Sequence, residues 1–146
     1  MGGHPWWYLV PYENDVAGSL ESLRQREFKA GRYNPAEPFP RFPVDVNHAP
    51  GCKHASIEDA RDDSDADGTR SILDVSRVGD KPDYDVVAPL DDPALMEFFG
   101  TTRPTAEDVE DNDELFDQIE RGQGIYVLVY ENDEPVQIFF AGYSYD

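Results

Sequence analysis

Two runs near the C-terminus constrain the chain most: GIYVLVY (124–130) and VQIFFAGYSY (136–145) are β-branched and aromatic, and only Glu131-Asn132-Asp133-Glu134-Pro135 separates them. Such a pair predicts a β-hairpin with a longer turn, and a hairpin needs further strands or helices to bury its apolar face. A third apolar stretch, Trp6 to Tyr12, supplies a candidate first strand, with Pro11 marking an edge or a bend.

Helices are predicted between these strands. Asn14 or Asp15 can cap one whose apolar positions Val16, Leu20, Leu23 and Phe28 share a face and which stops at Gly31. Pro35, Pro38, Pro40, Pro43 and Pro50 exclude helix and sheet interior from 34–54, which reads as an ordered loop anchored by Phe39 and Phe42. Ser56 can cap a short helix to about Asp62. Ser71 to Val78 and Tyr84 to Ala88 are candidate strands, and Pro93 opens a short helix that Gly100 closes. Thr105 and Asp108 have capping-box spacing for a helix running to Gly122 with Val109, Leu115, Phe116 and Ile119 inward. The order β-α-loop-α-β-β-α-α-β-β predicts an α+β fold, a mainly antiparallel sheet with helices packed on one face. The 146 residues suit one acidic domain, with 34–67 as a Pro-rich and then Asp-rich loop region.

The stretches WYLVPY, LRQREFKAGRYNP, GTRSILDVSRV and IERGQGIYVLVY with IFFAGYSYD resemble a family of short bacterial and archaeal proteins. The resemblance implies a compact domain and brings no catalytic residue; 36–67 lies outside it.

Charge narrows the functional classes. The chain carries 12 Lys+Arg against 31 Asp+Glu, a formal net charge of −19. Residues 1–54 hold six of each sign, so the whole excess belongs to 55–146. Nucleic acid and anionic lipid surfaces would meet net repulsion. Three lysines and 19 aspartates match proteins of a salt-rich cytoplasm, but general salt adaptation would coat both parts. One cysteine, Cys52, and the lack of a basic, apolar leader fit a cytoplasmic protein that neither spans nor anchors in a membrane.

Four constellations carry possible chemistry. On the predicted helix 106–121, Glu107, Asp111, Glu114 and Asp117 fall along one stripe, about 5–6 Å apart by helical geometry. Such a row suits a cationic groove on a basic protein, and the leading expectation is a non-enzymatic interaction protein, in its concrete form an inhibitor or antidote of a nucleic-acid-binding partner. Arg24, Arg26, Lys29 and Arg32 gather on the first helix and its end, where they would either bind a small anion or nucleotide, as an enzyme or sensor does, or pair with carboxylates of the second part. Asp63, Asp65, Asp67 and Asp74, with Gly68 between, follow positions one, three, five and twelve of a calcium loop, although Arg70 holds the usual aliphatic position and Asp74 replaces Glu. Calcium is the one cofactor this spacing suggests. His48, Cys52 and His54 supply three potential zinc ligands without a fourth. No G-x-S-x-G, H-E-x-x-H or G-x-x-x-x-G-K-[ST] occurs.

Overall fold

In the computed structural model, which describes residues 3–146, the chain runs β1 (Pro5–Pro11), α1 (Val16–Ala30), α2 (Ile57–Ser64), β2 (Arg77–Val78), β3 (Val86–Pro89), α3 (Asp92–Phe99), α4 (Ala106–Glu110), β4 (Gly124–Glu131) and β5 (Glu134–Tyr143). Short 3-10 turns lie at Asp65–Asp67, Ile72–Asp74 and Glu114–Gln118. The strands form one mixed sheet in the order β1-β5-β4-β3-β2. Its long pairings, β1 with β5 and β5 with β4, are antiparallel, while the short β3 and β2 join in parallel. The α+β class and the mostly antiparallel sheet are as expected. No helix among the described residues is long and apolar enough to cross a membrane.

Helices, however, cover both faces of this sheet rather than one. Successive strand side chains point to opposite faces, and both sets here are apolar. Trp6, Tyr8 and Val10 of β1 join Ile138 and Phe140 of β5 under Leu20, Leu23 and Phe28 of α1. Their neighbours Trp7, Leu9, Phe139 and Ala141 face the other way, against Val109 of α4, Leu115, Phe116 and the half-buried Phe98 and Phe99 of α3. The parallel step from β3 to β4 requires a crossover, and α3 and α4 lie within it, which is why they pack on the second face.

Local signals hold where capping chemistry sets them. Asp15 accepts from Gly18 N–H at the start of α1, Ser56 from Asp59 N–H at α2, and Thr105 and Asp108 form the capping box of α4. Gly31 ends α1 at φ 77°, and a Cβ there would strike the Gly51 carbonyl, where the proline-rich loop returns to α1. The hairpin turn is tighter than expected: Asn132 and Asp133, at φ 53° and 65°, form a two-residue connection, a backbone these residue types tolerate best after glycine. In the proline-rich loop Phe42 is the anchor, 5.5 Å from Trp7 and 5.3 Å from Tyr8 between ring centroids, whereas Phe39 stays 62% exposed beneath the Arg70 guanidinium.

Two expected elements are shorter than read. Of Ser71 to Val78 only Arg77–Val78 is strand, because the Ser71 hydroxyl accepts from Leu73 N–H and turns Ile72–Asp74 into a 3-10 step. The helix begun at Thr105 stops at Glu110: no apolar residue lies between Val109 and Leu115, and the Asn112 side chain donates to the Phe98 carbonyl (2.6 Å) instead of supporting another turn.

The end of α1 is held by a buried ion cluster. Glu27 has no exposed surface, and Arg32 donates to both of its oxygens, Nε to Oε1 at 2.9 Å and Nη2 to Oε2 at 2.5 Å. Arg26 Nε adds a third bond at 2.8 Å. Arg32 Nη1 continues to the His48 carbonyl (2.8 Å), fastening the proline-rich loop. Removing the carboxylate strands the buried Arg32 guanidinium, so Glu27→Ala is expected to lose about 3–5 kcal/mol, read as a lowered urea midpoint with an unchanged slope; a loss within the range of a surface substitution contradicts this account.

Candidate functional site

Two cavities on opposite faces of the sheet collect the chemistry. The first is a groove of about 780 Å³ beside β1 and β5. Its floor is aromatic and aliphatic: Trp7, Leu9, Phe139 and Tyr143 from the strands, and Phe116 from the 3-10 turn. Phe116 meets Trp7 and Tyr143 edge-on at 5.8 and 5.9 Å between centroids. Pro43, Val44 and the 62% exposed Val46 form a wall from the proline-rich loop. Glu110, Asp113 and Asp117, all exposed, make the opposite rim, and none is in an ion pair among the described residues.

This arrangement revises the acidic stripe. Glu107, Asp111, Glu114 and Asp117 are exposed, but the break after Glu110 removes the helix that would align them. Glu107 lies on α4, Asp111 at its C-cap, and Glu114 and Asp117 on the 3-10 turn; only Asp117 of the four lines the groove. Glu110, Asp113 and Trp7 complete it and were not singled out by spacing. Strict alternation from the buried Trp6 was the available signal for Trp7: of two adjacent tryptophans in a strand, one must face the other side.

The basic helix disperses. Arg24, Arg26 and Arg32 line three different cavities, and Lys29 lines none of them. Arg26 and Arg32 share Glu27, and Arg24 Nη1 binds Glu21 at 3.2 Å. Their partners come from α1 itself, not from the acidic second part. A single phosphate-binding face is therefore not assembled.

The calcium pattern disperses too. Asp63 accepts from or is bridged to His54 Nε2 (2.8 Å), Asp65 and Asp67 lie in a 3-10 turn, and Asp67 lies 3.8 Å from Arg70. Asp74 turns inward, where its Oδ1 accepts from Thr69 N–H (2.7 Å) and Oγ1 (2.9 Å). Among the described residues no group of three or more His, Cys, Asp or Glu side chains is placed to hold a metal ion. The zinc trio is also apart: His48 contacts Glu37, His54 contacts Tyr33 and Asp63, and Cys52 is exposed.

Asp74 belongs instead to the second cavity, of about 810 Å³, between α1, α2 and the C-terminal segment. Phe28 and Arg24 of α1, Ser64 and Arg61 of α2, Gly68 and Tyr145 line it with Asp74. Asp74 is 2% exposed, and among the described residues its Oδ2 has no hydrogen-bond partner, nor does the buried Arg24 Nε. Burial raises the Asp74 pKa to about 6 from 3.8, against the lowering effect of the two Thr69 bonds and of Arg61. Burial also lowers Arg24 from its usual value, partly offset by Glu21.

No protein-family model, curated protein or solved structure matches this chain.

The raised Asp74 value has a defined effect on stability. The folded pKa lies above the unfolded one, so the protonated carboxyl favours the fold; this contribution is complete below about pH 4 and is lost as pH rises through 6. Asp74→Asn removes the titration while Oδ1 can still accept from Thr69. Relative to the parent, the variant is expected to gain on the order of 3 kcal/mol between pH 4 and 7, measured by urea unfolding at each pH. A pH-independent difference refutes the assignment.

Proposed function

We propose that the protein is an acidic interaction protein whose groove beside β1 and β5 receives a cationic, partly apolar segment of a basic partner protein. One observation carries this reading: an aromatic floor and three exposed carboxylates, Glu110, Asp113 and Asp117, without an ion pair among the described residues, bound the same concave surface. An apolar side chain seated against Trp7 and Phe116 gains the desolvation energy that sustains a complex, while lysine or arginine neighbours face the rim and speed encounter. Val46, exposed on the facing wall, enlarges the apolar area available to the partner. The net charge of −19 favours the same class of partner at long range. In its concrete form this is an inhibitor that covers the nucleic-acid surface of a basic enzyme, its carboxylates standing where phosphates would lie.

Trp7 supplies a reporter, because it lines the groove while Trp6, the other tryptophan, is fully buried. A tryptophan-free peptide of alternating arginine and phenylalanine is expected to change the Trp7 emission, and the change is absent in Trp7→Phe. Reversing Glu110, Asp113 and Asp117 to lysine should weaken binding by about tenfold or more. Reversing the exposed Asp80, Glu131 and Glu134, which alters net charge equally but lies off the groove, should cost much less. Equal losses in the two triple variants, or an unresponsive Trp7, overturn the proposal.

A further inference from the structure

β1 is an edge of the sheet, with β5 on one side of it and no strand on the other. The register says which of its backbone groups face outward. Tyr12 N–H donates to the Val136 carbonyl and Ser144 N–H to the His4 carbonyl, so the bonds to β5 fall on every second residue, through Trp6, Tyr8 and Val10. The N–H and C=O groups of Trp7 and Leu9 therefore point away from the sheet. Among the described residues no backbone hydrogen bond joins them to another segment. The proline-rich loop packs its Phe42 ring against the Trp7 and Tyr8 rings, so it stands beside this edge without satisfying it. Pro5 and Pro11, at the two ends of β1, add outward carbonyls and no N–H.

The groove follows this edge. Its lining comes from both faces of the sheet, Tyr8 and Arg26 from the α1 side, Leu9, Phe116 and Asp113 from the α4 side. Space that reaches both faces at the last strand passes around that strand. Pro5 and Leu9 both line it, which at about 3.4 Å per residue gives about 14 Å of edge, enough for a strand of about five residues.

The two sides differ in chemistry. On the α1 side Val44 packs against the cluster that holds Tyr8 and Val10, and Arg26 is engaged by Glu27 at 2.8 Å. On the α4 side stand the exposed carboxylates of Glu110, Asp113 and Asp117. Residues opposite one another in adjacent strands share a face. A chain laid along β1 thus turns its side chains opposite Trp7 and Leu9 to the carboxylates, and the one opposite Tyr8 to the valine wall. Alternating cationic and apolar residues satisfy both. A second copy of this chain does not, because each copy carries a net charge of −19 and would bring its own acidic rim to the contact.

Resting on the docking role assigned to the groove above, we propose that the basic partner's segment binds as an added β-strand on β1, with cationic and apolar residues in alternation. Its backbone bonds to Trp7 and Leu9 supply affinity, and its alternate side chains, read by the rim on one face and the wall on the other, supply specificity. The flanking prolines keep the open edge short, which limits uncontrolled pairing of the same strand.

The test follows Trp7 emission of the full chain during titration with the peptide Arg-Phe-Arg-Phe-Arg-Phe. In an added strand only every second peptide N–H bonds β1, so N-methylation of the three arginines and of the three phenylalanines separates the two sets. One methylated peptide is expected to bind at least about tenfold more weakly than the parent, and the other to bind as the parent does. Loss on the arginine set marks an antiparallel strand, loss on the phenylalanine set a parallel one. Arg-Arg-Arg-Phe-Phe-Phe, of equal composition, should bind at least about tenfold more weakly, and amide exchange at Trp7 and Leu9 should slow by about tenfold or more in the parent complex. Equal losses in the two methylated peptides, equal binding of the non-alternating peptide, or unchanged exchange at Trp7 and Leu9 overturns the added strand and leaves the groove as a docking site. A silent Trp7 with the parent peptide overturns both readings. A peptide-free dimer that already protects the Trp7 and Leu9 amides overturns the proposal by giving the edge to a second copy.

Discussion

A carboxylate with no exposed surface costs several kcal/mol unless it is paired and hydrogen-bonded, and Glu27 meets that demand by drawing Arg26 and Arg32 to itself. The consequence reaches beyond α1. Arg32 spends its remaining donor on the His48 carbonyl, and Gly51 N–H bonds the Ala30 carbonyl at 2.7 Å, so the proline-rich loop is fastened at two points to the helix end. Phe42 anchors the same loop among Trp7 and Tyr8. Between Phe42 and His48 lie Val44 and Val46, the wall of the groove. A buried ion cluster on one face of the sheet thus positions apolar surface that serves the other. It also accounts for the fate of the basic helix: cations committed to an internal carboxylate are not free to bind an external anion.

The sequence announces what depends on neighbours within a few residues. Caps at Asp15, Ser56 and Thr105, the glycine stops at Gly31 and Gly100, and the apolar pair of terminal strands are all legible because the chemistry that sets them is local. The order of elements follows from them. What spacing misjudges are segments where two local preferences compete. Ser71-Ile72-Leu73-Asp74-Val75 has strand composition, yet a serine hydroxyl and an aspartate carboxyl claim the backbone N–H groups of Leu73 and Thr69 and turn the chain. Residues 110–114 have the charges of a helical face and lack the apolar residues that would keep such a face folded. Neither cavity was legible as a site, since each joins residues far apart along the chain: Trp7 with Phe116 and Asp117, Arg24 with Asp74 and Tyr145.

Asp74 shows how a motif and its residues part company. Its twelfth position in the calcium pattern depends on a loop that wraps its oxygens inward around an ion. Here Asp63 lies in the last turn of α2, Asp65 and Asp67 continue into a 3-10 turn, and the Arg70 guanidinium reaches the Pro38 carbonyl at 2.5 Å. The spacing is present and the wrapping is not. The same aspartate is turned into the interior instead, where Thr69 holds one of its oxygens and burial raises its pKa.

Both cavities depend on one registration of the sheet. Trp6 is fully buried and Trp7, its neighbour, lines the groove, so a shift of one residue in β1 would exchange an indole of the core with one of the surface. Glycine holds the register. Gly142 lies opposite Trp6 in the β1–β5 pairing and Gly124 opposite Gly142 in the next, and a Cβ on either would run into the Trp6 ring. The indole therefore occupies a slot that only this pairing leaves open. Slipping by one residue would bring Ala141 or Tyr143 opposite Trp6 and close the slot, while placing Trp7 over the α1 face. The choice of face for each tryptophan, and with it the separation of an acidic-rimmed groove from a buried carboxyl cavity, is settled by two positions where a side chain has no room.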